Sequence, residues 1–207
     1  MEVLKQKSIQ ELIIKALRHA LTYQEYLEMI ERYVNAEATS GRDQSEGLIN
    51  YTKLNHRRMK RWDKTVKISD EVRKVFKNTN HSLTWLVLTE SWCGDAAHVI
   101  PILNKLAELS DNIDLRLIYR DENPILMSHF LYNGTHSIPK VIMFDNNTQE
   151  VVGEYGPRPN VLNQMVTDFK REHGRLSAEF KENLQRWYNK DKGQTIINEL
   201  TSFLKTL

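Results

Sequence analysis

The sequence predicts an α/β fold in which a central sheet is flanked by helices, with further helices attached before and after it. Three observations carry this expectation. Residues 81–156 read as strand, helix, strand, helix, strand, strand. Residues 1–79 and 173–207 carry apolar positions at helical spacing. Between the first strand and the helix after it lies Ser91-Trp92-Cys93-Gly94-Asp95-Ala96, which holds the single cysteine of the 207-residue chain. The expected organisation is a helical extension over residues 1–79, an α/β unit over 80–172 and a second helical extension over 173–207.

Each element has a local reason. Ser8-x-x-Glu11 and Thr22-x-x-Glu25 have capping-box spacing and predict two helix starts. Ile9, Leu12, Ile13, Ala16 and Leu17 would line one face of the first helix. Tyr23, Tyr26, Leu27, Ile30, Tyr33 and Val34 would line the second. Residues 37–47 are polar, contain glycine, and read as a mobile loop. Helices follow over 48–63 and from Asp70 to Lys77, and these amphipathic helices need a surface to cover.

The run Leu83, Trp85, Leu86, Val87, Leu88 predicts a buried strand, and Ala96, Val99, Ile100, Leu103, Leu106 and Ala107 share a face of the next helix. Residues 113–119 alternate as a partly buried strand, and Asn123-Pro124 starts a helix over 124–132 with proline in its first turn. Asp145-Asn146-Asn147-Thr148 predicts a turn between the last two strands. Gly156-Pro157-Arg158-Pro159 ends the sheet and launches a helix carrying Val161, Leu162, Met165, Val166 and Phe169. Two more helices are expected beyond Gly174.

Composition sets the background. Forty per cent apolar and 27% charged residues are ordinary for a globular chain, and a net charge of +2 gives no reason to expect an acidic partner. No run approaches the roughly 18 to 20 apolar residues of a membrane span. Met1 to Lys7 lacks the apolar core and cleavage site of a signal peptide. One cysteine allows no intrachain disulfide and suits a reducing compartment, so a cytoplasmic location is expected.

A thiol at a strand-to-helix junction lies beside unpaired backbone N–H groups and the positive end of a helix dipole, and both favour thiolate over thiol. Cys93 is therefore the candidate nucleophile, expected to be exposed and activated. Gly94 would let a partner's backbone approach closely. Asp95 has two readings: it raises the thiol pKa, or it serves only as a helix-start carboxylate worth ~0.3–1 kcal/mol. His98 is rotated away from Cys93 on an ideal helix, and His136 is the better candidate to approach from a facing loop.

Trp-Cys-Gly at such a junction resembles the thioredoxin-like superfamily, and three further features agree. Pro101, eight residues after Cys93, has the spacing of the family's helix proline. Ile138-Pro139, 45 residues after Cys93 and just before Val141-Ile142-Met143-Phe144, matches its cis-proline. The intervening order of elements matches as well. The closest resemblance is to a bacterial branch of thioredoxin family proteins that carries Trp-Cys-Gly-Asp and helical flanks.

The resemblance implies a thioredoxin-like fold with Cys93 as nucleophile. Trp92 would shield the thiol and offer an apolar docking surface, and Ile138 and Pro139 would form the ledge that aligns a substrate. Two departures limit the chemistry. Ala96 stands where dithiol members carry the resolving cysteine, and Val87 stands where many carry a buried carboxylate.

These residues predict monothiol thiol–disulfide exchange through Cys93. The partner would be a protein or small-molecule disulfide or thiol, and an external low-molecular-weight thiol or second protein would act as resolving partner. No cofactor is expected. The alternative is a non-catalytic binding module using the groove near Trp92 and Pro139. Metal chemistry finds no ligand spacing among one cysteine and seven scattered histidines. A bridging iron–sulfur cluster would need two protomers and outside thiols. The basic stretch Lys53, His56, Arg57, Arg58, Lys60, Arg61, Lys64 and Lys67, with Tyr51 and Trp62, could be read as a nucleic-acid surface. The balanced overall charge favours a solvated helix face. Arg120-Asp121-Glu122-Asn123 reads mainly as a helix start. Sequence leaves the oligomeric state open.

Overall fold

The computed structural model describes residues 2–207, with side chains described from Ile9 onward. Four helices come first: α1 (Glu2–Leu17), α2 (Tyr23–Asn35), α3 (Glu46–Thr65) and α4 (Asp70–Lys77). The α/β segment follows as β1 (Leu83–Thr89), α5 (Ala96–Ala107), β2 (Ile113–Tyr119), α6 (Pro124–His129), β3 (Lys140–Asp145) and β4 (Glu150–Tyr155). The chain ends in α7 (Asn160–His173), α8 (Ala178–Asp191) and α9 (Gln194–Leu204).

The sheet order is β2-β1-β3-β4, with β1 parallel to β2 and antiparallel to β3, and β3 antiparallel to β4. All seven residues of β1 are buried because the strand is central and helices cover both its faces. In β2 the buried positions alternate with Asp114 and Arg116 at its start, as an outer strand requires. Its free edge is capped by the α1–α2 connection. Leu21 and Leu117 exchange two backbone hydrogen bonds of 2.8 Å, which blunts the edge against stray pairing.

Helix α5 lies between the sheet, α3 and α9. That is why Ala96 to Leu103 are buried without interruption, Pro101 included, where a surface helix would show a polar stripe. Helix α9 buries Ile196, Ile197, Leu200 and Leu204, and Phe203 presses on β4. A Cβ at Gly153 would overlap the Phe203 ring, so a larger residue at this strand position requires that ring to shift.

Several local expectations agree with the structure, including the Thr22–Glu25 capping box, α4 at its predicted bounds and the Asp145 turn. Two do not. Helix α1 begins at Glu2 and runs through Ser8, so Ser8-x-x-Glu11 is not a helix start. The segment 37–47 is tied down at two residues where a wholly solvated loop was expected: Thr39 and Ser40 are buried and hydrogen-bonded to Ser91, while residues 41–47 are exposed. Those two residues face a polar interior cluster, a possibility that composition cannot separate from exposure to solvent.

Candidate functional site

Cys93 sits in the turn between β1 and α5, its N–H donating to the Glu90 carbonyl (3.1 Å). Its Sγ donates to the Ile138 carbonyl oxygen at 3.3 Å. The Ile138–Pro139 peptide is cis, and both residues are buried. The topology forces this meeting, because β3 pairs with β1 in antiparallel register, Val141 opposite Val87. The residues just before β3 are thereby delivered to the C-terminal end of β1, where Cys93 lies.

The thiol is not the exposed, activated group that the sequence suggests. Cys93 is 7% exposed, and its pKa is pushed up to about 12, first by burial and then by the Asp95 carboxylate. The backbone N–H groups of Ala96 and Asp95 and the Arg158 guanidinium pull the other way, as a helix N-terminus should, and are outweighed. The resting sulfur is a neutral thiol that donates its proton to a carbonyl.

Asp95 is the N-cap of α5 but makes no side-chain cap hydrogen bond. Its carboxylate instead takes Arg158 Nη2 at 2.6 Å and the Tyr188 hydroxyl at 3.0 Å. Burial pushes the Asp95 carboxyl up, and Arg158 and Tyr188 offset that only in part. Three parts of the chain meet here: the Cys93 turn, the loop before α7, and α8. The Asp95 contacts are to Arg158 and Tyr188, and its charge also adds to the rise of the Cys93 thiol.

His98 faces away from the thiol, into a second polar cluster. Trp62 Nε1 donates to His98 Nδ1 (2.8 Å), so the other ring nitrogen carries the proton and donates to Gln185 Oε1 (2.6 Å). The ring stacks on Tyr188, centroids 4.2 Å apart. Burial pushes its pKa down to about 3, which keeps the imidazole neutral. His136 is exposed, and its backbone carbonyl accepts from Arg120 (3.3 Å). Neither histidine is brought to Cys93 as a base.

Trp92 is half-buried, with the Arg120 guanidinium 5.1 Å from its ring centre. Arg120 also bonds Asp121 (2.8 Å), and the Asp121 N–H donates to Glu90 Oε1 (2.9 Å). The predicted helix-start cluster therefore braces the site loop as well. Ala96 is buried, its methyl group where a second thiol would stand, and Val87 is fully buried. Gly94 remains partly open. An atom at the position of its missing Cβ would lie 3.8 Å from Arg58 Nη1 and 3.9 Å from Gln185 Nε2.

Sequence reading missed the supporting cast. Glu90 is wholly buried and is held by Ser40 Oγ and the Asp121 N–H. Ser91 Oγ, Thr39 Oγ1 and Thr52 Oγ1 form a closed triangle with sides of 2.6 to 3.0 Å. Asn55 of α3 donates to the Ser91 carbonyl (2.9 Å). Arg158 was visible only as part of a helix-launching turn, and Arg58 only as one charge in a basic stretch. That stretch is partly neutralised locally, Lys53 by Glu37 (3.0 Å) and Lys60 by Glu31 (3.2 Å). Among the described residues no three His, Cys, Asp or Glu side chains converge as a metal site. No helix of the described residues is long and apolar enough to cross a membrane.

The family model described as thioredoxin matches residues 41–170 of the chain, a span containing Cys93, Pro101 and the cis Ile138–Pro139 peptide. The chain belongs to the thioredoxin family. Among solved structures, a protein of unknown function from Pseudomonas aeruginosa is similar at 15% identity and a TM-score of 0.57, covering 90% of this chain and 98% of its own. An HIV epitope-scaffold is similar at 16% identity and a TM-score of 0.54, covering 90% of this chain and 99% of its own. These likenesses extend the shared architecture over the flanking helices as well as the thioredoxin segment. No curated protein matches the chain significantly in sequence. In this thioredoxin-like site the thiol is covered, and α3 and α8 reach its turn through Asn55 and Tyr188.

Proposed function

We propose that this thioredoxin family protein carries out monothiol thiol–disulfide exchange through Cys93, resolved by an external thiol. In this reading residues 80–172 are the exchanging unit, and residues 1–79 and 173–207 cover it and keep the thiol neutral at rest. The observation that carries the proposal is Cys93 Sγ against the Ile138 carbonyl at the N-terminus of α5. There an incoming disulfide could lie along the Ile138–Pro139 backbone, in line with the sulfur. Cys93 would attack one sulfur of the disulfide and form a mixed disulfide, and the displaced thiolate would take up the proton that Cys93 loses. A second thiol would then release the product, since Ala96 cannot. The expected setting is the reducing cytoplasm.

The raised thiol pKa favours a second reading, a binding module whose groove near Trp92 and Pro139 holds a partner while Cys93 is incidental. The pH dependence of alkylation, read by intact mass, is the first experiment. A thiol raised to about 12 gives an alkylation rate that climbs about tenfold per pH unit from pH 7 to 10 without a plateau. Incubation with 2-hydroxyethyl disulfide then separates the readings. Exchange predicts a single mixed disulfide on the folded chain, abolished by Cys93→Ser. A folded chain that forms none, while the urea-unfolded chain does, removes the exchange mechanism and leaves the binding module.

A further inference from the structure

We infer that the cavity over the β2 edge, between α1, α2 and α6, binds a small amphipathic carboxylate: an alkyl chain ending in an anionic head group. The cavity shares no wall residue with the Cys93 turn, so the inference stands apart from the exchange reading. It encloses about 710 Å³, within the range of small-molecule sites. Its wall is built from apolar side chains of every element around it. Leu12 and Ala16 come from α1, Leu21 from the α1–α2 connection, Met29 from α2, Leu117 from β2 and Ile125 from α6. Ile125 is 64% exposed, the most exposed large apolar side chain of the described residues. It therefore stands at the mouth, where cover by a ligand's apolar body is favourable.

The charge of the ligand follows from the rim. Helix α1 lays two neighbouring stripes on the cavity. Leu12 and Ala16, one turn apart, are the more buried stripe; Lys15 and His19, also one turn apart, are exposed beside it. Neither Lys15 nor His19 has an ion-pair partner among the described residues. The one carboxylate of the wall, Glu122, is set at the far end. It also lines the neighbouring cleft with Arg42 and Gln44, whereas Lys15 and His19 line this cavity alone. An alkyl chain lying on Leu12, Ala16 and Leu117 would thus bring its terminal carboxylate to the Lys15 ammonium and the His19 ring N–H. A cationic head group would meet Lys15 instead of a partner. Tyr119 is also a wall residue, and the only one whose side-chain polar atom is buried without a hydrogen-bond partner among the described residues. Such an atom is the usual mark of a partner still to be supplied.

The test titrates octanoate, octylammonium and acetate into the full chain at low ionic strength and follows the backbone amides by NMR. Octanoate should shift the amides of Leu12, Ala16, Leu117 and Ile125 along a saturating curve. Octylammonium has the same chain with the opposite charge, and acetate has the head group without the chain, so neither should saturate. Ile125→Glu sets a carboxylate at the mouth on an exposed position that the fold tolerates, and it should abolish the saturable shifts. Lys15→Gln should weaken octanoate about fivefold, the worth of one exposed ion pair. Absence of a saturable shift with octanoate, equal binding of octylammonium, or octanoate binding that survives Ile125→Glu overturns the site. Unchanged affinity in Lys15→Gln overturns the assignment of the head group. Octanoate shifts confined to Trp92 and Gly94 would put the ligand at the Cys93 turn and overturn the cavity as well.

Discussion

At the scale of single residues, the site is a contest between burial and a few charges around one sulfur. The helix N-terminus supplies N–H groups that favour thiolate, but desolvation is the larger effect and Asp95 adds to it. Asp95 and Arg158 therefore act on Cys93 in opposite directions and can be separated by substitution. Asp95→Asn removes the repelling charge and leaves Arg158 nearby, so alkylation of Cys93 at pH 8 should speed up. Arg158→Met does the reverse and also strands a buried carboxylate, which should cost about 3–5 kcal/mol in denaturant unfolding. Equal alkylation rates in the two variants would show that burial alone sets the thiol, and the electrostatic account of Asp95 would be wrong.

At the scale of elements, the helices and strands were legible because each carries its own punctuation. Thr22 and Glu25 mark one start, and Pro124 another. The alternation of residues 113–119 and the largely apolar run of β1 assign the outer and central strands correctly. Legibility failed where a polar residue is satisfied by a distant one. Thr39 and Ser40 look like solvated loop residues until Ser91 and Glu90 are placed against them across about fifty positions of chain. Cys93 was found from its junction, but its protonation was misjudged because its burial depends on distant parts of the chain such as Ile138 and Arg158, which local sequence does not place. Arg58 and Gln185 escaped for the same reason.

The anchored loop can be tested directly. Ser91 Oγ accepts from the Ser40 N–H (2.9 Å) and closes the triangle with Thr39 and Thr52. Ser91→Ala leaves a buried N–H without its acceptor and should destabilise the fold by about 1–3 kcal/mol. Amide exchange at Ser40 should accelerate together with that loss. A variant with unchanged stability and slow Ser40 exchange would mean that the backbone alone holds the loop.

At the scale of the whole molecule, the packing of both helical extensions on the site couples stability to pH from two sides. His98 is held neutral between Trp62 and Gln185, with its pKa at about 3 against an ordinary 6.5. Below pH 6.5 the unfolded chain binds a proton there that the folded chain refuses. The His98 contribution is therefore complete above pH 6.5 and is lost as pH falls toward 3. Cys93 has the opposite sign. Its folded pKa of about 12 lies above the ordinary 9.0, so its contribution is complete below pH 9 and is lost as pH rises toward 12. Each group can tilt the stability curve by up to about 1.4 kcal/mol per pH unit within its own window. The measurement is urea unfolding across pH for the wild type, His98→Asn and Cys93→Ala. His98→Asn keeps a hydrogen-bond acceptor and donor but loses the titration, so its curve should be flatter than the wild type's only on the acid side. Cys93→Ala should be flatter only on the alkaline side. Because other groups titrate identically in all three proteins, curves that differ by a constant offset at every pH would show that neither residue is held neutral by the fold.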